Sequence, residues 1–450
     1  MRSGTRGHRG EPDAPRRAAY DLLRAVAAQD AYANLVLPRL LDERGLTGRD
    51  AALATELGYG TLRAAGTLDE IIGACLDRPL GGLQPEVLDL ARLGSYQALR
   101  TRVPPHAAVD TTVQLARHVG MARAAGLLNA VLRRVTADTW DTWTDRLGSA
   151  ASPLRRLALR TAHPEWIAGA FAAALGEDPG GELAETTAAL TADDERPSTH
   201  LIAWPGRLDR AALAAESGGE PGPFSPYAVR LSGGNPAALR SVRARRAAVQ
   251  DEGSQLCALA LVNAPVAGRD MRWLDLCAGP GGKTALLAAL GAKRDATVTA
   301  VELHPHRAEL VRRATEGWPV EVVVGDAREL AVPGGGYDRV LLDAPCTGLG
   351  ALRRRPESRW RRGPADLGPL VVLQAELLAA AMRLVRPGGV VGYVTCSPHV
   401  AETIDQVAEA SALDARPLFS GVPDLGAGPT VQLWPHRHGT DAMFFALLAR

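Results

Sequence analysis

The chain has 450 residues, of which 46% are hydrophobic and 22% charged, with a formal net charge of +1. That length gives room for two to four domains at ~100–200 residues each, and the near-neutral total excludes a general attraction to nucleic acid, so any such partner must be met by clustered cations. No apolar run reaches the ~20 residues that span a bilayer, and no signal-like apolar core follows Arg2, Arg6 and Arg9, so no membrane partner is expected. Cys75, Cys257, Cys277, Cys346 and Cys396 are odd in number, scattered and without a CxxC pair. A disulfide framework and a metal site are thereby disfavoured, and a reducing, cytoplasmic setting is expected.

Residues 1–14 are expected to be a loose tail. Over 15–145 apolar residues recur at intervals of three and four, as in Ala18, Leu22, Leu23 and Val26, with turns at Pro79-Leu80-Gly81-Gly82 and Pro104-Pro105. That spacing predicts an all-α bundle. Near its end, residues 126–134 join an apolar helix face to a basic tip, where Asn129, Arg133 and Arg134 leave room for an RNA contact. Residues 150–248 read as a small α/β connecting module, with a helix from about His163-Pro164-Glu165-Trp166 and then Gly/Pro-rich strand-and-turn sequence.

From 249 to 450 short β-branched runs alternate with helical ones, the pattern of a parallel sheet with crossover helices. Strands are expected at 273–277, 297–303, 320–324, 338–342 and 389–395, with a closing antiparallel pair near 429–434 and 443–448. Seven strands so ordered predict a Rossmann-like, doubly wound sheet, in which ligands bind outside the carboxyl ends of the strands. Two arginine groups stand out: Arg353, Arg354, Arg355, Arg359, Arg361 and Arg362 around Trp360, and Arg240, Arg243, Arg245 and Arg246. Either is a solvated face or a phosphate contact. The first follows Cys346 closely and is expected to touch RNA phosphates.

After the first of these strands comes Asp275-Leu276-Cys277-Ala278-Gly279-Pro280-Gly281-Gly282-Lys283-Thr284, opening a helix of Ala and Leu. A triphosphate loop would need glycine at Cys277, and a dinucleotide fingerprint would need glycine at Thr284. S-adenosylmethionine is the remaining ligand. Its amino-acid end would meet the loop from Cys277 through Ala278, Gly279, Pro280, Gly281 and Gly282 to Lys283, its ribose Glu302, and its adenine Asp326. Each acid alone could equally be a helix cap.

The fourth strand leads into Asp343-Ala344-Pro345-Cys346-Thr347-Gly348 and the fifth into Thr395-Cys396-Ser397-Pro398. A lone cysteine is usually a small hydrophobe; two at adjacent strand ends beside an aspartate suggest chemistry. Carbon 5 of cytosine is a poor nucleophile until something adds at carbon 6, and a thiolate suits that addition. Cys396 is the candidate nucleophile, a protonated Asp343 the donor to ring nitrogen 3, and Cys346 the group that assists release.

These motifs, with Val249-Gln250-Asp251-Glu252-Gly253-Ser254-Gln255 and Gly439-Thr440-Asp441, make the chain resemble the NOL1/NOP2/Sun family of RNA cytosine-5 methyltransferases over most of its length. Within that family it is most similar to the bacterial small-subunit ribosomal RNA methyltransferase B group. The resemblance implies a class I methyltransferase domain, a covalent Cys396–cytosine adduct, release promoted by Cys346, and cofactor contacts at 277–283, Glu302, Asp326 and Asp343. It also implies a NusB-like N-terminal bundle, which points to 16S ribosomal RNA, free or partly assembled, with no obligatory protein partner. Thr199-His200-Leu201-Ile202-Ala203-Trp204 departs from the Arg-Val-Asn-like strand usual in the connecting module. A DNA cytosine methyltransferase would use the Pro-Cys cysteine as nucleophile, a dehydrogenase would explain neither cysteine, and the readings left beside the main one are an RNA-binding assembly factor without activity and a transfer RNA methyltransferase.

Overall fold

A computed structural model describes residues 13–450 apart from 30 and 332–335. The expected tail lies outside the described residues as far as 12, and Ala14 already opens a helix. The chain forms two compact units, Met1–Asp194 with Leu352–Arg362, and Glu195–Ala351 with Gly363–Arg450. The 150–248 module expected as one piece is therefore divided after Asp194: the helices up to that residue belong to the first unit, and the strands, with helices Arg210–Ser217 and Arg240–Arg243, to the second.

The first unit is helical throughout, from Ala14–Gln29 to Ala184–Asp194. The apolar period turns Leu22, Leu57, Leu68, Ile71, Ile72, Leu90, Leu93 and Leu132 inward, where all are buried. Ser152 and Thr139 cap the two short helices that follow the bundle, each accepting a backbone N–H in the first turn. Asn129 and Arg133 are exposed on helix Ala125–Val135, as expected, while Arg134 donates to the Cys75 carbonyl and pairs with Asp77.

Part of the arginine-rich segment after Cys346 departs from the expectation of phosphate contact, although Arg355 and Arg362 are exposed. Arg359 is fully buried in the first unit, 3.0 Å from Asp193 Oδ2 and 3.1 Å from Asp194 Oδ1, and it donates to the Ala162 and Asp193 carbonyls. Trp360 donates Nε1–H to the Arg63 carbonyl at 2.7 Å, and Arg361 donates to the carbonyls of Val26 and Ala31. A charge run reads as surface in a sequence, but these guanidiniums satisfy buried acids and carbonyls instead.

In the second unit, β1 (Thr199–Ala203), β2 (Glu220–Pro221), β3 (Ala228–Leu231) and β4 (Ala247–Val249) form an antiparallel sheet in the order β2-β3-β1-β4. The departing strand is its core, with 200–203 buried. The Gln-Asp-Glu-Gly-Ser-Gln element ties this sheet to the next helix. Asp251 caps helix Glu252–Asn263, Glu252 accepts the Phe224 and Ser225 N–H groups, and Gln255 bonds Ser225 Oγ and the Leu201 carbonyl.

The larger sheet contains β5 (Arg272–Asp275), β6 (Thr297–Glu302), β7 (Val320–Val324), β8 (Tyr337–Asp343), β9 (Val385–Thr395), β10 (Ala412–Leu413), β11 (Val431–Gln432) and β12 (Phe444–Ala449). Its order is β10-β12-β9-β8-β5-β6-β7, with β11 pairing β12; β5 to β9 are parallel and β12 runs antiparallel to β9. The seven expected strands are present, and β10 adds a two-residue eighth. The chain reverses its direction of travel across the sheet between β5 and β8, which opens the crevice at their carboxyl ends. Helix Leu367–Leu384 crosses from β8 to β9. The stretch Pro364–Leu384 has the length and apolar composition of a membrane span, which the sequence reading had excluded. Its apolar character serves packing: Leu377, Leu378, Ala381 and Leu384 join the core on β8 and β9.

Candidate active site

All the expected site residues lie on the second unit, at the carboxyl ends of β5, β6, β7, β8 and β9. After β5 the chain turns through Cys277 to Gly281, and Gly281 caps helix Gly282–Gly291 with φ +108°, a left-handed conformation that favours glycine. A Cβ there would lie 2.8 Å from that of Ala314. Asp275 is buried under the loop, where it accepts from Thr284 Oγ1 at 2.7 Å, and burial pushes its carboxyl up to about 7.

Glu302 ends β6 and reaches back to the loop, with Oε2 accepting from Gly279 N at 3.1 Å and Oε1 from His304 N at 3.0 Å. A Cβ on Gly279 would stand 2.2 Å from Glu302 Oε2, so glycine is what allows this carboxylate to approach the backbone. Asp326 caps the turn Ala327–Glu329 and pairs with Arg328. The capping alternative thus holds for Asp326, while its carboxylate still stands just past β7.

Lys283, one helical residue in, projects to the end of β8, its Nζ 2.8 Å from Asp343 Oδ2. Burial pushes the amine down, but Asp343 outweighs burial, with smaller help from Cys257 and Cys396, so the amine is held above its ordinary range. The ammonium is therefore held at the expected donor, and its charge also acts on the expected nucleophile. Asp343 was expected as the hydrogen-bond donor to the base; its Oδ2 accepts from Lys283, which brings a second donor to this strand end.

Cys346 and Cys396 arrive from β8 and β9 with their sulfurs 3.5 Å apart, both as thiols. The hydrogen bond to Cys396, then burial, hold the Cys346 thiol well above its ordinary range, and the charge of Glu402 acts in the same direction. Glu402 is fully buried beneath both loops. Its Oε1 accepts from Thr347 N at 2.8 Å and Gln374 Nε2 at 3.0 Å, and its Oε2 accepts from Thr347 Oγ1 at 2.5 Å. Thr347 Oγ1 in turn lies 3.2 Å from Ser397 Oγ, so one carboxylate joins the neighbour of each cysteine. Gln374 also donates to the Pro345 carbonyl. Sequence reasoning missed Glu402 and Gln374, because nothing in their local sequence separates them from surface polar residues.

A doubly wound sheet with a glycine loop after its first strand, acids after the next two and cysteines after β8 and β9 defines a methyltransferase site. Residues 261–449 match the family model described as 16S rRNA methyltransferase RsmB/F, and residues 13–137 match the NusB family. A Mycobacterium tuberculosis protein whose name goes no further than methyltransferase is 56% identical over 460 residues, covering 100% of both chains. Ribosomal RNA small subunit methyltransferase B of Cronobacter sakazakii is 32% identical over 452 residues, covering 97% of this chain and 98% of that one. The solved structure of PH0851 shares the fold, with a TM-score of 0.80 at 21% identity over 98% of this chain and 99% of that one. The chain belongs to the RsmB/F family of RNA methyltransferases, carrying a NusB-family domain at its N-terminal side. Its methyl donor is S-adenosylmethionine, and the cradle suits that group: Gly279 and Gly281 are places where a Cβ would fill the loop, and the helix at Gly282 offers N–H groups to a carboxylate.

Proposed function

We propose that the chain methylates carbon 5 of a cytosine in 16S ribosomal RNA, with Cys396 as covalent nucleophile and Cys346 as the group that frees the product. The observation that carries this reading is the pair of sulfurs 3.5 Å apart beside the Lys283–Asp343 ion pair. Cys396 Sγ adds to carbon 6, and the electron pair of the carbon 5–carbon 6 bond moves to carbon 5 as the Lys283 ammonium, held by Asp343, offsets the negative charge on the ring. S-adenosylmethionine supplies the electrophilic methyl group. Cys346 first gives its proton to solvent water; the resulting thiolate takes the carbon 5 proton, and the electron pair of that C–H bond re-forms the carbon 5–carbon 6 double bond as the Cys396–carbon 6 bond breaks and Cys396 leaves as thiolate.

The electrostatics divide the roles. Lys283 favours negative charge on Cys396, whereas burial, the neighbouring sulfur and Glu402 keep the Cys346 proton in place until it is needed. The donor would be held by Cys277, Ala278, Gly279, Pro280, Gly281, Gly282 and Lys283, with Glu302 at its ribose, Asp326 at its adenine and Asp343 near its methyl group. Two adjacent thiols persist only in a reducing compartment, which supports a cytoplasmic setting. The target base must leave its stack to reach the crevice, and the exposed Asn129 and Arg133 of the NusB-family domain suit an RNA contact. Mass spectrometry of nuclease-digested small-subunit RNA after incubation with enzyme and donor tests the product. A new 5-methylcytidine supports the proposal; methylation at any other atom overturns it.

A further inference from the structure

The second arginine group, Arg240, Arg243, Arg245 and Arg246, has no part in the reaction, yet it is the most concentrated exposed charge on the connecting sheet. Arg240 and Arg243 sit three apart on the short helix Arg240–Arg243 and so share a side. Arg245 takes φ +55°, a left-handed turn that brings the chain into β4. All four side chains are exposed.

A fifth guanidinium joins them. Arg207 lies flat over the indole of Trp318, 3.4 Å from its centroid, and Trp204 meets Trp318 edge-on. Arg207 donates to the carbonyls of Arg245 and Glu316, and Arg246 donates through Nε to the Arg207 carbonyl at 2.9 Å. These guanidiniums are thus fixed by backbone carbonyls, which orient them without cancelling their charge. Among the described residues the one ion pair in the group is Arg245 with Glu316, exposed on both sides and therefore weak. The nearby Glu216 carboxylate is occupied by the backbone and hydroxyl of Ser241. In a chain of net charge +1 such an excess is a local feature rather than a consequence of composition.

We infer that Arg207, Arg240, Arg243, Arg245 and Arg246 form a docking surface for the phosphate backbone of the substrate RNA, separate from the crevice where the base reacts. Arginine suits this partner because its planar fork gives two hydrogen bonds to one phosphate. The place of the surface sets the length of RNA required. Trp318 leads into the amino end of β7, while the cysteines stand at the carboxyl ends of β8 and β9 on the other side of β5. At ~3.3 Å per residue along β7 and ~4.8 Å between strands, the two regions are roughly 20 Å apart. A fragment of only a few nucleotides around the target base cannot touch both; a folded ribosomal domain can. The inference rests on RNA as substrate but on no detail of the cysteine chemistry.

The test compares Arg240→Glu/Arg243→Glu with the unaltered enzyme, using Arg416→Glu, an exposed arginine paired with Asp414, as the charge control. Binding and methyl transfer are measured on whole small-subunit RNA transcript and on a short fragment carrying the mapped target. The double variant is expected to lose about tenfold more kcat/KM on the transcript than on the fragment. Its binding to the transcript should also become less salt-dependent, by about 1.4 to 1.8 in the log–log slope for two lost phosphate contacts. Equal behaviour on the two RNAs, or the same loss in Arg416→Glu, overturns the surface. A defect seen only with protein-containing particles overturns it as well, in favour of a protein partner. If the enzyme methylates nothing, the salt slope of binding still decides the inference, so its failure is distinguishable from failure of the proposed reaction.

Discussion

Cys346 Sγ and Cys396 Sγ stand 3.5 Å apart, although fifty residues of chain separate them. The proximity follows from parallel pairing of β8 with β9, in which Asp343 lies beside Val394 and each strand turns into its cysteine within three residues. At this separation the thiols are within reach of a disulfide, whose bond of ~2.05 Å needs only a modest approach. Mild treatment with diamide is expected to abolish methyl transfer and dithiothreitol to restore it, with thiol titration showing two cysteines consumed. Loss of activity that dithiothreitol does not reverse contradicts this geometry.

Lys283 is the cation that Asp343 holds and whose charge acts on Cys396. Lys283→Met keeps the length and removes the charge, and is expected to lower the single-turnover rate by about 10²–10³. A cation favours the thiolate, so its removal should move the rising limb of the pH–rate curve to higher pH. An unmoved limb in a slower enzyme would mean that Lys283 positions the base without tuning the nucleophile.

Glu402 is expected to govern how the two cysteine loops meet. Glu402→Ala leaves the Thr347 N–H and hydroxyl and the Gln374 amide without their acceptor, at about 1–3 kcal/mol for each buried group so stranded. Glu402→Gln keeps an acceptor for part of this set but removes a negative charge near Cys346. The Gln variant should therefore recover most of the melting temperature, while Cys346 becomes alkylated by iodoacetamide faster at a given pH. Equal alkylation rates in the two forms would assign Glu402 a purely structural part.

Arg359 holds two buried carboxylates in the helical unit. Arg359→Ala is expected to cost about 3–5 kcal/mol in denaturant unfolding, since Asp193 and Asp194 lose their shared partner. Acid acts on the same cluster. Burial and then Arg359 hold His163 below its ordinary range, while burial of Asp193 and Asp194 is outweighed by His163 and Arg359, which hold both acids low. All three folded-state values are depressed, so their contribution is complete above the unfolded histidine value of ~6.5 and falls as pH drops, histidine first. His163→Gln should flatten the fall that begins below about pH 6.5; a wild-type melting temperature that stays constant as the pH drops from that value contradicts the assignment.

What the sequence made legible was local. Each motif residue of the crevice sits within a few positions of a strand end, and alternation of strand and helix was enough to place those ends, with β10 too short to leave a pattern. What escaped was long-range. Glu402 meets Thr347 across 55 residues, and Arg359 meets Asp193 across 166, so neither burial could be read from neighbouring residues. The connecting module was misjudged for the same reason: helix Ala184–Asp194 and strand β1 are adjacent in sequence but belong to different cores. The contact of Asp343 with Lys283 escaped as well, because the two lie 60 residues apart in the chain.

Methyl transfer from labelled donor to small-subunit transcript, resolved on a denaturing gel for wild type, Cys396→Ala and Cys346→Ala, tests the central claim most directly. The account predicts no product from Cys396→Ala, and from Cys346→Ala a labelled protein–RNA adduct that resists denaturation. Product from Cys396→Ala with no adduct from Cys346→Ala would contradict it and move the nucleophile to Cys346.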